Sequence, residues 1–486
     1  MNLNELITSV NDAVWGYVLI AALVACGLWF TWRTRFVQFR MVGEMLRLLT
    51  DSAVDTVKEQ TGEEAKEGKK KKHISSFQAF AVSVATRVGT GNLAGVASAI
   101  AIGGPGAVFW MWVIALIGSA TAFVESTLAQ LFKLKHKDSF IGGPAYYIER
   151  GLHQHWMAVL FAVLITCQFG LSNNSIQANT ICGAMQEAFG WSPVWVGAAL
   201  AAMGLFIVFG GIQRIAHVSA VLVPVMAIGY VVLALAIIVM NIGLIPHVFK
   251  VIVTSAFGLE QAVGGGLGAT IIYGVKRGLF SNEAGEGSAP NVAATAAVSH
   301  PVKQGLIQAL GVFTDTLLVC SCTAFIILIS GLYSVPGLNG IALTQSALQS
   351  EVGTAGPVFI AIAIFLFAFS SIIGNYYYGE ANIRFITHHS QLATSRSEFI
   401  LTLYRICSAG VMVMFGALAS FELVWNIVDF FMAFLTACNL VAIVLLGRYA
   451  FRLLDDYRQQ KRQGIKEPVF HRSQLPELEH ELECWE

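Results

Sequence analysis

The stretch RVGTGN at residues 87–92 interrupts a long apolar segment with two glycines and three polar side chains. A second interruption, GLFSNEAGEGSAP at residues 278–290, divides another apolar segment about half the chain later. Inside a bilayer every backbone N–H and C=O group needs a partner, because no water is present to supply one. Two broken helices in matching halves of a chain are typical of the binding site of a secondary transporter. We therefore predict two helices that are interrupted at membrane depth and enclose a site.

The composition places most of the chain in a lipid bilayer. The 486 residues are 56% hydrophobic and only 12% charged, whereas soluble proteins carry about 25% charged residues. A helix needs about 20 largely apolar residues to cross the hydrocarbon core. We therefore predict an all-α integral membrane protein with eleven transmembrane helices, at residues 13–32, 77–102, 106–132, 156–178, 193–211, 215–240, 261–298, 304–332, 355–383, 398–419 and 423–447.

Lysine and arginine residues gather in alternate connections between these segments, and this alternation predicts the orientation of the chain. The basic connections include the run Lys69–Lys72 and the region that follows the last segment. The pattern predicts an N-terminus outside and a C-terminus inside the cytoplasmic membrane. The lysine run could instead bind anionic lipid, but a topology signal is its more common role.

The two interrupted segments are the second and the seventh of the eleven. Five segments separate their starts, so the two helices enter the membrane from opposite sides. Without the first segment ten remain, which divide into five plus five inverted repeats. The predicted divisions are a first helix with a basic loop, a first repeat, a second repeat and a cytoplasmic C-terminal tail, at 1–76, 77–260, 261–447 and 448–486.

The residues of the first interruption suit an anion and a small cation together. Gly89 and Gly91 let the backbone approach a ligand closely, and the freed amides near Thr90 direct positive charge at an anion. Freed carbonyl groups, with the Thr90 hydroxyl and the Asn92 amide, offer oxygen atoms to a cation. An α-amino acid carboxylate and a sodium ion would satisfy both sets. Helix packing through Gly91 and Gly95 is the alternative, but it does not explain the polar neighbours.

The second interruption contains two acids, Glu283 and Glu286. A charged side chain at the centre of a bilayer costs about 2.5–3.5 kcal/mol, so embedded carboxylates need partners. The candidate partners are Arg87, Lys276 and Arg277. The sequence leaves the pairing open. The alternative places both acids in an aqueous loop, although an apolar run at 292–298 follows them directly.

Other polar side chains inside the apolar segments predict a lined cavity. Asn174 and Gln177 are three residues apart and share one helix face. Adjacent hydroxyls at Ser370 and Ser371 suit a sodium ion, but serine in a membrane helix also bonds back to its own helix. Further acids inside the apolar segments are Glu125 and Asp315.

Five stretches resemble the alanine or glycine:cation symporter family, also called the sodium:alanine symporters. They are VGTGNLAGVA (88–97), GGPGA (103–107), GGPAYYIE (142–149), the second interruption (278–291) and YYYGE (376–380). The family is similar to the leucine-transporter-type architecture of the amino acid–polyamine–organocation superfamily. The resemblance therefore implies one N-terminal helix followed by a 5+5 inverted repeat with two broken helices.

The resemblance also implies roles for individual residues. It assigns sodium to the backbone and hydroxyl oxygens of five residues, which are Ala85, Val88, Phe367, Ser370 and Ser371. It assigns the substrate to a second set, which is Thr90, Gly91, Gln177, Gly278, Phe280, Ser281 and Asn375. Asn92 would contact a second cation.

One position departs from the family pattern. Members that carry alanine commonly have tryptophan after the glycine of the ninth segment, where this chain has Asn375. An indole ring closes a pocket around a small side chain, whereas an amide leaves more room and can form hydrogen bonds. Glutamine or another larger neutral amino acid therefore stays open beside alanine and glycine.

The sequence and the resemblance together predict a sodium-coupled symporter. It would import small neutral amino acids, alanine or glycine, across the cytoplasmic (inner) membrane by alternating access. Sodium- or proton-coupled import of glutamine is the alternative, with Glu283 or Glu286 as the proton carrier. An intramembrane enzyme and a passive channel are alternatives of other classes. We expect no enzyme activity, no nucleic-acid partner and no cofactor, with sodium acting only as the coupling ion.

Overall fold

The structure is a computed structural model that describes residues 3–61, 74–136, 139–258, 266–389 and 394–485. Within these residues the chain is almost entirely helical, apart from one antiparallel hairpin of β1 (Leu134–His136) and β2 (Ser139–Ile141). The helices are α1 (3–33), α2 (Val37–Arg40), α3 (Val42–Thr61), α4 (Ser76–Arg87), α5 (Gly91–Gly103), α6 (Ala107–Leu131), α7 (Pro144–Leu152), α8 (His155–Phe189), α9 (Pro193–Val208), α10 (Gly211–Met240), α11 (Ile245–Ala256), α12 (Leu267–Asn282), α13 (Ala289–Ala293), α14 (Pro301–Ser330), α15 (Gly340–Val352), α16 (Ala355–His389), α17 (394–418) and α18 (Phe421–Arg462).

Eight of the described helices are long and apolar enough to cross a membrane: α1, α6, α8, α10, α14, α16, α17 and α18. The other predicted segments contain shorter helices, because two of them are interrupted and α9 has only 16 residues. The all-α membrane fold is therefore confirmed, while the exact number of crossings stays a prediction. The run Lys69–Lys72 and the start of the seventh predicted segment lie outside the described residues.

The first interrupted segment breaks at the predicted position. Helix α4 begins with a capping box, in which Ser75 and Gln78 bond each other's backbone amides at 3.1 and 3.0 Å. It ends at Arg87, and Val88 is extended, with φ −79° and ψ 92°. Helix α5 begins three residues later with a wider π-type turn at Gly91–Gly95, a feature that is frequent at functional sites.

The second interruption begins later than the sequence predicts. Helix α12 continues through Gly278 to Asn282 and ends where Glu283 adopts a left-handed φ of 57°. Gly285 and Gly287 also have positive φ, at 97° and 79°, which glycine adopts at little cost. The break therefore covers residues 283–288, between α12 and α13. Gly278 lies within α12, and a Cβ atom there would lie 2.6 Å from the Ile114 side chain of α6.

The two interrupted segments run in opposite directions. At one end, the Thr270 hydroxyl near the start of α12 donates to the carbonyl of Gly103 at the end of α5, at 2.6 Å. At the other end, the amide of Ala297, beyond α13, donates to the carbonyl of Ile74, before α4, at 3.0 Å. Each segment thus begins where the other ends, as the predicted entry from opposite sides requires.

Long helices surround the two interruptions and hold them in place. Helix α6 packs against α12 and α14, and helix α8 packs against α16 and α17. Helix α16 also contacts α4, so the first interruption is in contact with this scaffold. The breaks consequently lie inside the bundle, where every residue from Val88 to Gly95 and from Glu283 to Ser288 is buried.

The C-terminal tail, residues 463–485, folds back over one end of the bundle, which we call the tail face. The Phe470 amide donates to the Ser299 carbonyl at 2.9 Å, and the Trp485 indole donates to the Leu131 carbonyl at 3.0 Å. Leu475 and Leu482 are buried beneath it. The tail therefore joins the ends of α6 and α14.

His300, which precedes α14, is buried under the tail. Its Nδ1 accepts from the Val302 amide at 3.2 Å, so Nε2 carries the proton and donates to Asp456 at 3.0 Å. The rings of Tyr457 and Phe470 pack against it. Burial lowers the pKa of His300, although the hydrogen bond to Asp456 acts in the opposite direction. The imidazole is therefore held in its neutral form.

Candidate functional site

Backbone amides of the first interruption are partnered by side chains. The Gly89 amide donates to Asn92 Oδ1 at 2.8 Å, and the Thr90 amide donates to Gln177 Oε1 at 2.9 Å. Gln177 is held by its own neighbour, because its Nε2 donates to Asn173 at 3.1 Å. Gln177 thus occupies the amide that the sequence assigns to the substrate carboxylate, and the two would have to exchange there.

Glycine is required at two positions of this interruption. A Cβ atom at Gly89 would lie 2.5 Å from Ser371 Oγ and 2.8 Å from Gln177 Oε1. A Cβ atom at Gly91 would lie 3.0 Å from the Phe280 ring and 3.2 Å from the Cα atom of Ser281. The first interruption is therefore in direct contact with α8, α12 and α16.

Four of the five predicted sodium residues converge between α4 and α16. The Ser371 hydroxyl donates to the Ala85 carbonyl at 2.8 Å and lies 3.1 Å from the Phe367 carbonyl. The Ser370 hydroxyl lies 2.8 Å from the same Phe367 carbonyl and 3.3 Å from Ala85. Two hydroxyls and two carbonyl oxygens thus meet at one point, and all four residues are fully buried. Val88, the fifth, is buried one residue beyond the end of α4.

Asn92 and Ser281 meet at a carboxylate, Asp315 of α14. Asn92 Nδ2 donates to Asp315 Oδ1 at 2.7 Å, and the Ser281 hydroxyl donates to Oδ2 at 2.7 Å. The Thr316 hydroxyl bonds Oδ2 as well, at 2.8 Å. Asp315 is recognisable in the sequence as an acid inside an apolar segment, but the sequence alone predicts no role for it. Its position between both interrupted segments becomes visible only in the fold.

Phe280, predicted to line the substrate site, packs edge-to-face on Trp425 of α18 with ring centroids 4.7 Å apart. Trp425 also lies 3.7 Å from the position that a Cβ atom of Gly95 would take. The sequence does not single out this tryptophan. Gly278, also predicted to line the substrate site, does not face the first interruption. The space for its missing side chain faces Ile114 and Met111 of α6. Close helix packing therefore accounts for this glycine.

Asn375 lies one helical turn beyond Ser371 on α16 and is fully buried. Its Nδ2 donates to Asn174 Oδ1 at 3.3 Å, and Asn174 Nδ2 donates to Ser408 Oγ at 2.9 Å. Within the described residues, Asn375 Oδ1 has no hydrogen-bond partner. A buried acceptor without a partner is rare in proteins, so this oxygen marks a candidate contact for a ligand.

The acids of the second interruption are embedded, which excludes the aqueous-loop alternative. Glu283 accepts from Ser288 at 2.5 Å and from Thr86 at 3.4 Å, and it is 1% exposed. Glu125 of α6 accepts from the Gly285 amide at 3.2 Å. The buried Arg87 interacts electrostatically with all three acids of the cluster, Glu125, Glu283 and Glu286, while its Nη1 donates to the carbonyl of Gln308 at 3.3 Å.

Lys276 and Arg277 have another partner. Both bond Asp429 of α18: Arg277 with two nitrogens at 3.1 and 2.8 Å, and Lys276 at 3.0 Å. The Arg277 guanidinium also lies 3.8 Å from the ring centroid of Trp425. These two candidate partners of Glu283 and Glu286 are therefore paired elsewhere, with Asp429 on a helix that is distant in sequence.

Comparison with known proteins shows to which family the chain belongs. Residues 1–472 match the model of the sodium:alanine symporter family. The chain belongs to this family. The amino-acid carrier protein AlsT of Bacillus subtilis is 50% identical, over 99% of this chain and 98% of its own length. The probable sodium/glutamine symporter GlnT of the same organism is 49% identical, over 99% and 96%.

More distant relatives agree with this membership. The sodium/alanine symporter AgcS of Methanococcus maripaludis is 35% identical, over 92% of this chain and 95% of its own length. Among solved structures, MhsT in complex with L-phenylalanine matches with a TM-score of 0.53 at 12% identity, covering 79% of this chain and 99% of that one. This structural match confirms the leucine-transporter-type fold. The family and its named relatives are membrane transporters, as the sequence predicts.

Proposed function

We propose that this member of the sodium:alanine symporter family imports small neutral amino acids together with sodium, through a site between its two interrupted segments. The proposal depends on one observation above all. Two carbonyl oxygens and two hydroxyl oxygens, from Ala85, Phe367, Ser370 and Ser371, converge beside the broken end of α4. Hard oxygen donors of this kind are what sodium requires, and they lie next to amides that suit a carboxylate.

Sodium would take the place of the two hydroxyl protons in this cluster. The Ser370 hydroxyl donates to the Phe367 carbonyl, and the Ser371 hydroxyl donates to the Ala85 carbonyl. When the hydrogens rotate away, all four oxygens offer lone pairs to one cation. The carbonyl of Val88, at the extended residue that follows α4, is the proposed fifth ligand.

The substrate carboxylate would bind at the amides of Thr90 and Gly91, after Gln177 has released the Thr90 amide. Gln177 would then turn to the substrate, and Phe280 and Ser281 would close the other side. The cation and the carboxylate lie close together, so each raises the affinity of the other by the same factor. A charge that enters along a membrane potential of 100 mV contributes about 2.3 kcal/mol to uptake.

A second cation fits the cluster around Asp315. Asn92, Ser281 and Thr316 place oxygen or amide groups within hydrogen-bond distance of this buried carboxylate. A cation there would offset its negative charge, which is costly in a dry interior. The contact between Asn92 and Asp315 supports the proposal that Asn92 lies beside a second cation.

The membrane and its orientation are also part of the proposal. We place the protein in the cytoplasmic membrane, with the tail face toward the cytoplasm and the N-terminus outside. The basic residues Arg448, Arg452 and Arg458, near the end of α18, support this orientation by the positive-inside rule.

Uptake by the purified protein in lipid vesicles tests the function. An inward sodium gradient should drive accumulation of alanine or glycine, and dissipating that gradient should abolish it. Accumulation driven by a pH gradient without sodium would contradict sodium coupling and favour a proton carried by Glu283 or Glu286. Flux that never exceeds equilibrium under any ion gradient would contradict symport and favour a passive channel.

Glutamine is the second candidate substrate. The amide of Asn375 favours it, as does the 49% identical relative named a probable sodium/glutamine symporter. The same vesicles, loaded identically and offered glutamine, compare the two substrates directly.

A further inference from the structure

We infer that Asn174 and Ser408 are positioning residues that make the proposed site selective for a side-chain carboxamide, and thus for glutamine over alanine. The inference rests on the proposed function and adds to it the chemical basis of substrate choice. It depends on the direction of a chain of hydrogen bonds that links α8, α16 and α17.

The chain begins at Ser408 of α17, which is fully buried. Its hydroxyl oxygen accepts from Asn174 Nδ2 of α8 at 2.9 Å. An asparagine amide has one donor side and one acceptor side. The bond to Ser408 therefore leaves the Asn174 oxygen for a donor on another helix.

The remaining links follow from this fixed direction. Ser408 accepts from Asn174 Nδ2 at 2.9 Å, so the Asn174 oxygen points the other way, toward α16. That oxygen accepts from Asn375 Nδ2 at 3.3 Å. The Asn375 amide is consequently held with its nitrogen toward α8, and its oxygen is the atom that has no partner among the described residues. The site thus presents a hydrogen-bond acceptor.

The position of this acceptor sets the length of the side chain that can reach it. Ser371 and Gln177 both approach Gly89. Asn375 lies four residues after Ser371 on α16, and Asn174 lies three residues before Gln177 on α8. Four residues of helix rise about 6 Å, so only a donor at the far end of a substrate side chain approaches Asn375. Glutamine carries its carboxamide nitrogen there, whereas alanine has no side-chain donor and the hydroxyl of a substrate serine lies close to its α-carbon. A pocket that satisfies a buried polar group discriminates against ligands that cannot.

Three variants test the chain with the purified protein in vesicles under one sodium gradient. Ser408→Ala removes the acceptor for the Asn174 nitrogen, and Asn174→Ala removes the oxygen that accepts from Asn375. Each should raise the KM for glutamine about tenfold, the usual worth of one hydrogen bond, and leave the KM for alanine unchanged. Ser408→Thr, which keeps a hydroxyl, should restore the KM for glutamine.

Ser175→Ala is the matched control. The Ser175 hydroxyl also joins α8 to α17, through the Met412 carbonyl at 2.9 Å, but it is not a member of the chain. Its loss should leave the ratio of the two KM values unchanged. Parallel changes for alanine and glutamine in Ser408→Ala and Asn174→Ala would overturn the inference, because they would indicate a purely structural role.

A measurement on the unaltered protein covers the case in which the variants do not fold. Glutamate γ-methyl ester keeps the side-chain carbonyl of glutamine but has no N–H group on its side chain. Glutamine should inhibit alanine uptake at about tenfold lower concentration than the ester. Equal inhibition, or no inhibition by glutamine, would overturn the inference and leave sodium-driven alanine uptake intact. Absence of sodium-driven uptake of any amino acid would instead contradict the proposed function.

Discussion

Gly89 is the residue at which the first interruption comes closest to the helices around it. Its missing side chain lets Ser371 and Gln177 approach from two different helices. The sequence predicts that a glycine is needed here for close approach to a ligand. The structure adds that the glycine first admits two side chains of the protein, and that these two are themselves predicted binding residues.

We expect Gly89→Ala to abolish most transport. The new Cβ atom would lie 2.5 Å from Ser371 Oγ, and overpacking of this kind costs about 1–3 kcal/mol. Uptake of alanine at fixed sodium should fall about tenfold or more. Gly229→Ala is the control, because no heavy atom lies within 4 Å of its Cβ position. Equal rates for Gly89→Ala and the unaltered protein would contradict the contact.

Ser371→Ala should weaken the coupling ion specifically. The variant removes one of the four converging oxygens, and we expect the sodium concentration for half-maximal uptake to rise about tenfold. Uptake at saturating sodium should change much less. Ser350→Ala, at an exposed turn of α15 where the hydroxyl bonds only its own helix, is the control. An unaltered sodium dependence would remove Ser371 from the proposed ion site.

The sequence predicts much of the candidate site, because the first broken helix carries its ligand groups within a few residues. Ala85 and Thr90 lie within one such stretch, and their local chemistry is readable from it. Asp315 is 223 residues from the Asn92 amide that it accepts from. No periodicity or spacing links positions that far apart, so the cluster around Asp315 depends on how α14 is placed in the fold.

At the scale of helices, α12 is joined to α18 by an ion cluster that the sequence does not predict. Asp429 accepts from both Lys276 and Arg277 and is 2% exposed. In the sequence, Lys276 and Arg277 lie close to Glu283 and Glu286, and this closeness suggests partners other than the ones they have. The apolar segments themselves, in contrast, follow from composition, because burial in lipid demands long apolar runs. Their bounds follow less closely, because α1, α8 and α18 extend beyond the predicted segments.

Asp429→Asn should therefore destabilise the protein. Loss of one partner from a buried ion pair costs about 3–5 kcal/mol, since it leaves an uncompensated charge, and here two cations would be left. We expect a lower melting temperature in detergent and a smaller yield of monodisperse protein. Glu422→Gln, an exposed site in the first turn of α18, should change neither. A melting temperature for Asp429→Asn equal to that of Glu422→Gln would contradict a stabilising cluster.

At the scale of the whole molecule, the tail ties distant parts of the chain together. Arg47 of α3 bonds both Glu44 and the tail residue Glu467, at 2.8 and 3.1 Å. Burial alone would raise the pKa of Glu44, but hydrogen bonds from Arg47, Tyr457 and Lys461 hold it at about 2. The carboxylate thus stays charged at any physiological pH. The sequence shows only a polar tail and indicates nothing of where it docks.

Acid should loosen the tail through His300. Its pKa is lowered in the folded protein, so a detached tail exposes a histidine that binds a proton near its usual pKa of about 6.5. The detached form then holds more protons, and docking loses stability as the pH falls below that value. We expect lower protection factors (the intrinsic exchange rate at each pH divided by the observed rate) for the amides of residues 468–485 at about pH 5 than at about pH 6.5.

His300→Gln is the comparison for this measurement, because glutamine keeps a donor for Asp456 but does not titrate. The protection factors of its tail should be the same at both pH values. Lys133 is buried by the tail as well, and burial lowers its pKa to about 7. Lys133 therefore titrates above the two pH values that the measurement compares. An identical acid response in His300→Gln would assign the effect to another group.

The short bridge between Ile74 and Ala296 lies before the start of α4 and beyond the end of α13, and it connects the two interrupted segments. Gln130 and Lys133 of the α6 end also bond the carbonyl of Ala296, each at 3.0 Å. Helix α13 has only five residues, so it has little length over which to bend independently of this junction. A passage toward the tail face that parts α4 from its surroundings must either rupture the bridge or carry the short helix along. Opening at the tail face would then move α4 and α13 together, as one unit.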